Sequence, residues 1–428
     1  MRKQLDSPSV EQNGQPGKLM QLLGWIDARF PLTALWKQHL SEYHAPKNFN
    51  FWYYFGVLAC VVLVLQIITG IFLAIHYKPD GELAFYSIET IMREVPYGWL
   101  IRYAHSTGAS LFFVVIYLHI FRAILYGSFR KPRELIWIIG LLIFLCLMAE
   151  AFLGYLLPWG QTSYWGAKVI ISLIGVIPLI GESLSTWIQG DYVLSGVTLN
   201  RFFVFHVVLI PLCLIGLTVV HLLALHTVGS NNPDGVEIHD HVDEKGVPLD
   251  SVPFFPYYIV KDMVAIVVFF AVFIGIIAFA PDMNGFFLEY SNFTPMDLLK
   301  TPDHIAPVWY FMPFYSMLRA STINFFFIDA KFWGFVLVAC SVLIWFALPW
   351  LDRSPVKSIR YKGPIFKTML AVFVVSFLAL GFLGTLTPTD TTTIFCQVFT
   401  VGYFAFFVGM PWYSTRDRCK TPPERLTL

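Results

Sequence analysis

The sequence predicts an all-α integral membrane protein with eight transmembrane helices. Its 428 residues are 57% hydrophobic and only 13% charged, about half the charged fraction of an ordinary soluble protein. A helix needs about 20 mostly apolar residues to cross a bilayer. Eight stretches meet this requirement, at roughly 51–76, 103–126, 134–156, 201–226, 261–281, 331–350, 364–384 and 393–413.

Charge and cysteine content exclude several classes of protein. The formal net charge is +1, which gives no reason to expect nucleic-acid binding. The cysteines form no CxxC or CxxCH pair, so disulfides, structural zinc and covalently attached haem are not expected. They are better interpreted as small apolar side chains, at positions Cys60, Cys146, Cys213, Cys340, Cys396 and Cys419.

Lysine and arginine predict the orientation of the chain, because cytoplasmic loops carry more of both. With the N-terminus inside, the inner segments hold 19 of these residues and the outer loops hold 6. Both termini are therefore expected in the cytoplasm. The first long apolar run begins near Phe51, and acidic residues precede it, which is not typical of a transit peptide. Residues 1–50 are expected to form a cytoplasmic extension on the membrane surface.

Three further segments lie on the outer side in this topology. The apolar stretch 169–180 contains Pro178 and is too short to span, so it is predicted to be an interfacial helix. The loops 157–200 and 282–330 are long and rich in aromatic residues, glycine and proline. Loops of this length are usually functional or disordered, and these are too apolar for disorder. They are expected to fold over the outer mouth.

Four histidines lie in two of the predicted spans at matching depths. His105 and His119 are 14 residues apart in the second span, and His206 and His221 are 15 apart in the fourth. At 100° per residue, either spacing returns to broadly the same helix face after about 21–22 Å. Because both spans run from outside to inside, His105 is expected level with His206. His119 is then expected level with His221.

Glycines repeat at the same interval in the first and third predicted spans. Gly56 and Gly70 are 14 residues apart, and so are Gly140 and Gly154. These spans run from inside to outside, which places Gly56 and Gly140 at the inner histidine level. The other two glycines fall at the outer level. Glycine permits the close approach of another group, although small residues also serve simple helix packing.

Polar groups deep in apolar spans are costly and usually functional. Two kinds of partner suit the histidine pairs: a shared proton path, or a metal held axially between the two rings. Zinc prefers four protein ligands, whereas two imidazoles suit the iron of a haem. The glycines favour haem, because they would admit the edge of a flat macrocycle. Arg102, just before the second span, and Arg122, one turn inside His119, could pair with haem propionates. The alternatives are an interfacial anchor for Arg102 and a side chain that snorkels to the interface for Arg122.

The chain resembles cytochrome b of the respiratory cytochrome bc complex, in its bacterial form, from about residue 50 to 413. The phrases that carry the resemblance are LQIITGIFLAIHY (65–77), IRYAHSTGAS (101–110), LLPWGQTSYWGAKVI (156–170), HLLALHTVGSNNPDG (221–235) and PVWYFMPFYSMLR (307–319). The resemblance implies that His105 and His206 hold an outer, low-potential b-type haem. It implies that His119 and His221 hold an inner, high-potential one.

The resemblance also implies two four-helix regions and two quinone sites. Residues 51–226 would form the di-haem bundle, and residues 227–428 the second region. The implied outer, quinol-oxidising site comprises Phe152, Tyr155, Gly166, Pro307, Trp309, Tyr310 and Tyr315. The implied inner, quinone-reducing site comprises His226, Ser230, Lys261 and Asp262, side chains suited to hydrogen-bond a quinone carbonyl or supply protons to it.

The chain departs from the family pattern in the fourth span. Its two histidines are 15 residues apart, where the respiratory form usually has 14. Pro211 lies between them, and a local π-bulge or kink is predicted to absorb the extra residue.

A second departure concerns the outer-site motif, which usually reads Pro-Glu-Trp-Tyr. Here Val308 replaces the glutamate that is thought to accept a quinol proton. Glu150, a carboxylate inside the third span near Tyr155, is the predicted substitute. Asp303, in the outer loop, is the alternative.

The resemblance implies electron transfer from ubiquinol, through both haems, to quinone on the other face of the membrane, coupled to proton translocation. The implied partners are a Rieske-type iron–sulfur protein, a cytochrome c1-type subunit and a second copy of the complex, in a bacterial inner membrane. A proton-relaying transporter is the alternative from another class, but the inverted repeats and broken helices of such proteins are not seen. A two-haem reductase without an iron–sulfur partner is the nearer alternative, and the long aromatic outer loops disfavour it.

Overall fold

The computed structural model describes residues 18–302, 305–324 and 328–427. Within these ranges the chain forms α1 (Lys18–Asp27), α2 (Leu32–Trp36), α3 (Tyr54–His76), α4 (Ala84–Arg93), α5 (Gly98–Tyr126), α6 (Glu134–Leu156), α7 (Gln161–Gly175), α8 (Gly181–Gln189), α9 (Gly196–Val204), α10 (Ile210–Val228), α11 (Phe254–Phe279), α12 (Met312–Ala320), α13 (Ala330–Leu351), α14 (Pro364–Thr385), α15 (Asp390–Val408) and α16 (Met410–Arg416), with two short strands, β1 (His44–Pro46) and β2 (Ser251–Pro253).

Eight helical segments in the described ranges are long and apolar enough to cross a membrane, which confirms the predicted fold class. They are Phe51–His76, Gly98–Tyr126, Glu134–Leu156, Gly196–Val228, Phe254–Phe279, Ala330–Leu351, Pro364–Thr385 and Asp390–Val408. The chain is therefore a multi-pass membrane protein.

Four span boundaries differ from the prediction by five residues or more, and one of them is the start of the fourth span, at Gly196. The second span begins at Gly98, so that Arg102 lies inside α5 and not before it. The fifth begins at Phe254, which places Lys261 within α11 instead of near its start. The eighth ends at Val408, and α16 follows as a separate helix. The differences at the second and fifth spans share a cause. A hydropathy window stops at a charged residue, whereas a long charged side chain can reach the interface while its backbone stays helical.

A helix, α7, overlaps the segment 169–180 that was predicted to be interfacial, but it has different bounds. The helix α7 begins at Gln161, where the Ser163 hydroxyl and the Gly160 backbone cap its first turn, and it ends at Gly175. Pro178 lies in the turn that follows, as expected from its effect on a preceding helix. At 15 residues, α7 is shorter than a spanning helix.

The fourth span contains a π-helical segment at Phe205–Leu209, between α9 and α10. This confirms the predicted π-bulge, and it includes His206. A π turn takes in one more residue than an α turn. The 15-residue interval to His221 therefore behaves like the 14-residue interval of α5.

Packing joins the spans into one apolar interior. The helix α3 packs along α5, and α6 packs along α10. A second group, α12 to α15, packs together. One buried cluster joins α5 and α6 to α13 through α16, so the interior is continuous between the first four spans and the later ones. All six cysteines are free thiols.

Segments distant in sequence meet on the predicted inner side. The strand β1 pairs antiparallel with β2. The last residues of the chain return to the same region, where Arg425 forms a bidentate ion pair with Asp250 at 2.7 and 2.8 Å. In the extension before the first span, α1 exposes Leu19 and Trp25, as a helix on a membrane surface would.

Candidate functional site

The outer pair of histidines lies between α5 and the fourth span. The ring centres of His105 and His206 are 6.1 Å apart, and the rings are nearly perpendicular. A metal–imidazole bond of about 2 Å on each side, plus about 1 Å from each ligating nitrogen to its ring centre, gives a separation of roughly 6 Å. The observed distance thus suits a metal held axially between two imidazoles.

The inner pair occupies the other end of the same two spans. His119 and His221 lie close enough to interact electrostatically. The Nδ1 atom of His119 is buried and has no hydrogen-bond partner among the described residues. A buried polar nitrogen in an apolar bundle is costly unless something satisfies the ring.

A glycine faces each of the four histidines. A Cβ atom added at Gly56 would lie 3.4 Å from Cε1 of His119, and one at Gly140 would lie 3.2 Å from Cε1 of His221. At the outer level, a Cβ atom added at Gly70 would lie 3.3 Å from Cε1 of His105, and one at Gly154 would lie closer still to Cε1 of His206. A Cβ atom would therefore crowd the ring at Gly70, Gly140 and most of all Gly154, and would be in van der Waals contact with it at Gly56.

Hydrogen bonds orient the two outer rings. The Thr69 hydroxyl donates to the carbonyl of Leu65 at 2.7 Å, so its oxygen can accept from Nδ1 of His105 at 2.9 Å. Nδ1 of His206 donates to the backbone carbonyl of Glu150 at 2.9 Å. With Nδ1 engaged in this way, Nε2 is the nitrogen left to bind a metal.

These observations fit a haem better than a bare metal ion. Within the described ranges, no group of three or more His, Cys, Asp or Glu side chains could hold a metal ion. Two imidazoles per level therefore need further ligands from a prosthetic group, as a porphyrin supplies. The histidines would hold the iron, and the glycines would leave room for the ring.

The two arginines occupy different environments. Nε of Arg122 is buried without a partner among the described residues, while its guanidinium stacks 4.7 Å from the Tyr53 ring and donates to the Ser128 hydroxyl. An unsatisfied buried guanidinium nitrogen suits a propionate. Arg102 is half-buried and lines a small outer cavity with Pro158, Leu288 and Asn292, among others.

Most of the predicted outer-site residues surround one apolar cluster. Val308 and Tyr310 are buried there, and Tyr155 and Trp309 pack against them. Tyr310 stacks on Phe113 at 3.9 Å, and the Trp309 indole donates to the Ser110 hydroxyl.

The remaining outer-site predictions lie around this cluster or outside the described residues. A Cβ atom at Gly166 would contact the Tyr155 ring at 3.6 Å. Phe152 packs edge-on against Phe202, and the Tyr315 hydroxyl donates to the carbonyl of Ile305. Pro307 is half-buried in the same loop. Asp303 lies outside the described residues.

Glu150 lies beside the outer histidine pair. Its Oε1 is 3.2 Å from Nδ1 of His206, and its Oε2 is buried without a partner among the described residues. The carboxylate thus contacts a predicted haem ligand. Its predicted role as a proton acceptor remains a prediction.

Sequence reasoning missed a second buried carboxylate at the outer site. Oε2 of Glu289 accepts from the Asn292 amide at 3.1 Å, and the same amide donates to the Tyr155 hydroxyl at 3.3 Å. Burial raises the pKa of the Glu289 carboxyl to about 7. No local motif marks it, because Tyr155 is far away in the sequence.

The predicted inner-site residues gather where α10 and α11 approach the N-terminal segment. His226 stacks on the Tyr43 ring at 4.5 Å, and the Tyr43 hydroxyl hydrogen-bonds Ser230 at 3.2 Å. Lys261 lies over the Tyr258 ring at 5.2 Å. Asp262, the next residue of α11, lies near enough to Tyr258 to interact with it electrostatically. Tyr43, in the predicted extension, was not among the predicted residues.

Two family models match the chain and together cover most of it. The model for "Cytochrome b/b6/petB" matches residues 40–229, and that for "Cytochrome b(C-terminal)/b6/petD" matches residues 295–404. The chain belongs to the cytochrome b family. A cytochrome b of Allochromatium vinosum is 57% identical over 411 residues, which are 95% of this chain and 98% of that protein.

Two further matches place this cytochrome b among respiratory proteins. A chain of a solved structure titled "Hyperthermophilic respiratory Complex III" is 40% identical, with a TM-score of 0.83, covering 92% of this chain and 99% of that one. A protein of Bradyrhizobium diazoefficiens named "Cytochrome b/c1" is 40% identical and covers 99% of this chain, which spans 58% of its length. The chain takes part in electron transfer within the respiratory bc complex, a quinol–cytochrome c oxidoreductase.

Proposed function

We propose that this cytochrome b binds two b-type haems, at the outer level through His105 and His206 and at the inner level through His119 and His221. The observation that carries the proposal is that two histidine pairs lie on the same two spans, each ring faced by a glycine. When bound, each haem supplies a one-electron redox carrier.

The chain's contribution is to hold these carriers at two depths of an apolar interior. Thr69 and the Glu150 carbonyl fix the outer imidazoles through Nδ1. The glycines keep side chains out of the space beside each ring. Arg122 supplies a buried positive charge for a propionate at the inner level.

The quinone sites belong at the two ends of this arrangement. Quinol oxidation is assigned to the outer cluster around Tyr155, Trp309 and Tyr310, whose aromatic side chains exclude water from a flat substrate. Quinone reduction is assigned to the inner group around His226 and Asp262, where side chains can hydrogen-bond a carbonyl and deliver protons.

Partners and location follow from the same proposal. A c1-type subunit is suggested by the fused relative named "Cytochrome b/c1", and a Rieske-type iron–sulfur protein would take the first quinol electron. The complex is proposed to be a homodimer in the bacterial inner membrane, with both termini of this chain in the cytoplasm. The quinone is proposed to be of the ubiquinone class.

Substitution of single histidines tests the haem assignment. His119→Ala or His221→Ala should abolish the inner b-type signal and leave most of the outer one, because a bis-imidazole site does not survive the loss of one ligand. His105→Ala or His206→Ala should do the reverse. Absorption spectra of dithionite-reduced membranes, resolved by redox titration, report both signals.

The matched control is His241→Ala, since this exposed loop histidine should leave both signals intact. If any of the four pair substitutions retained both b-type signals at full amplitude, the assignment of that pair would be wrong.

A further inference from the structure

Quinol oxidation at the outer face releases protons as well as electrons, so the outer cluster needs a group that can receive a proton from the quinol hydroxyl. Val308, which is buried in that cluster, has no atom that can do so. The tyrosines there are better donors and relays than bases, since an ordinary phenol has a pKa near 10.

Two carboxylates in the described part of the chain are candidates for this group, and they have different partners. Glu150 lies 3.2 Å from Nδ1 of His206, so it serves the ring that is proposed to bind the outer haem. Glu289 instead interacts electrostatically with Tyr155, and one amide group, that of Asn292, donates to both side chains. It also acts electrostatically on Tyr310.

Asn292 holds this carboxylate in place. Its amide donates to Oε2 of Glu289 at 3.1 Å and to the Tyr155 hydroxyl at 3.3 Å. Its own Oδ1 accepts from the backbone amide of Ser163 at 2.7 Å. A Cβ atom at Gly160 would lie 2.8 Å from Asn292 Oδ1, so the close approach of the two loops depends on that glycine.

We propose that Glu289 receives one of the two protons that leave quinol at the outer site, with the Tyr155 hydroxyl relaying it and Asn292 fixing the geometry. This rests on the proposed function, in which two one-electron acceptors, an iron–sulfur protein and the outer haem, take the two electrons. The Tyr155 hydroxyl accepts the quinol proton as it donates its own to Glu289, so the tyrosine is unchanged after the transfer.

The surroundings of Glu289 suit a proton that is taken up and then released. Tyr155 of α6 and Tyr310 of the outer loop interact with it electrostatically, and Glu89, Arg102 and Tyr103 line the small cavity next to it. Burial, the main cause, raises the pKa of its carboxyl to about 7. The next residue, Tyr290, is exposed, while the preceding Leu288 and the nearby Asn292 line the small outer cavity. A proton held there is therefore close to the outer water.

The test compares quinol–cytochrome c turnover of the intact complex carrying Glu289→Gln with that of the wild type between about pH 6 and pH 8. The wild-type rate should rise with pH as the carboxylate forms. The variant should be about tenfold slower or more at the upper end, and the rise with an apparent pKa of about 7 should disappear. Groups on partner subunits titrate equally in both proteins, so the ratio of the two rates isolates this residue.

Three further variants sharpen the test. Glu182→Gln, at an exposed outer position, should leave both rate and profile unchanged. Glu289→Asp keeps a carboxylate and should recover part of the rate with a shifted profile. Val308→Glu added to Glu289→Gln should also recover part of the rate, because it restores a carboxylate to the same cluster.

Haem signals separate this proposal from the one it rests on. Glu289→Gln should keep both b-type signals, and reduction of its haems through the inner site should be unchanged. If the wild-type complex showed no b-type signals or did not oxidise quinol, the proposed function itself would be refuted. Wild-type turnover and an unchanged pH profile in Glu289→Gln would overturn the role of Glu289. The role would also be overturned if the rise of the rate with pH disappeared in Glu150→Gln and not in Glu289→Gln. If Glu289→Gln lost its haems, the turnover and pH profile of Glu289→Asp would be the test. A wild-type rate and pH profile in Glu289→Asp would then overturn the proposal.

Discussion

At the scale of single residues, the glycines that face the histidines can be compared with a span glycine that faces open space. A Cβ atom at Gly140 would lie 3.2 Å from the His221 ring, whereas one at Gly216 would meet nothing within 4 Å. Both glycines lie inside transmembrane helices, where their intrinsic cost to the helix is the same. The difference between them therefore isolates the effect of the space beside the ring.

Gly140→Val is expected to remove most of the inner b-type signal while the outer one remains. The added methyl groups would occupy the space next to His221, and a packed interior cannot yield by the required amount without displacing the ring. Reduced-minus-oxidised spectra of purified complex would measure this. Gly216→Val serves as the control and should retain both signals; equal losses in the two variants would show that helix packing, not access to the histidine, sets the requirement.

At the scale of elements, a buried ion cluster joins three segments on the predicted inner side. Arg133, just before α6, donates to both carboxylate oxygens of Glu237 at 2.7 and 2.8 Å, and to the carbonyl of Gly229 at 2.9 Å. Lys357, between α13 and α14, contacts the same carboxylate at 2.6 Å. Burial acts to raise the pKa of the Glu237 carboxyl, but the two cations outweigh it and lower the pKa to about 2.

Glu237→Gln is expected to destabilise the protein by about 2 kcal/mol at neutral pH, because it leaves the buried Arg133 without its ionic partner. Since the folded pKa is lowered, the ionic contribution is complete above the ordinary value of 4.5 and is lost as pH falls towards about 2. The difference in thermal denaturation midpoint between wild type and variant should therefore become smaller below about pH 4.5. The exposed Glu244 of the same loop supplies the control: Glu244→Gln should match the wild type, and a gap that widened on acidification would contradict the ionic origin.

At the scale of the whole molecule, two outer loops are joined beside the proposed quinol site. The backbone amide of Gln161 donates to the carbonyl of Thr294 at 3.1 Å, and the backbone amide of Asp297 donates to the side-chain Oε1 of Gln161 at 2.7 Å. The hydrogen bonds of Asn292 with Ser163 and Tyr155 lie at the same junction between the two outer loops. The interior thus closes on the outer side through contacts between segments about 130 residues apart.

The distribution of basic residues predicts which face of the molecule is which. A reporter inserted after residue 388, between α14 and α15, is expected to lie outside, and one fused to the C-terminus should be cytoplasmic, because lysine and arginine concentrate in the inner segments. Paired reporters that are active on opposite sides of the membrane measure this. The reverse pattern would exchange the inner and outer assignments of both quinone sites.

The sequence by itself determined the parts of this protein that depend on local periodicity and hydropathy. Eight spans and the matched intervals of histidine and glycine can be derived by counting along a helix, since rise and rotation per residue are fixed. The π segment at His206 was predicted from the family resemblance, in which the same interval is one residue shorter. Bilayer thickness adds the requirement on length. Span ends were less accurate, as at Arg102, because a charge ends an apolar window before it ends a helix.

Only the tertiary structure decided which distant side chains meet. Nothing local marks Glu289 as a partner of Tyr155, Tyr43 as a partner of His226, or Glu237 as a partner of Arg133. Each of these contacts joins segments separated by about 100 residues or more, and loop geometry, not helical periodicity, brings them together. Burial, which raises the pKa of the Glu289 carboxyl to about 7, arises only once the outer loops have packed, because desolvation is a property of the folded surroundings and not of the residue.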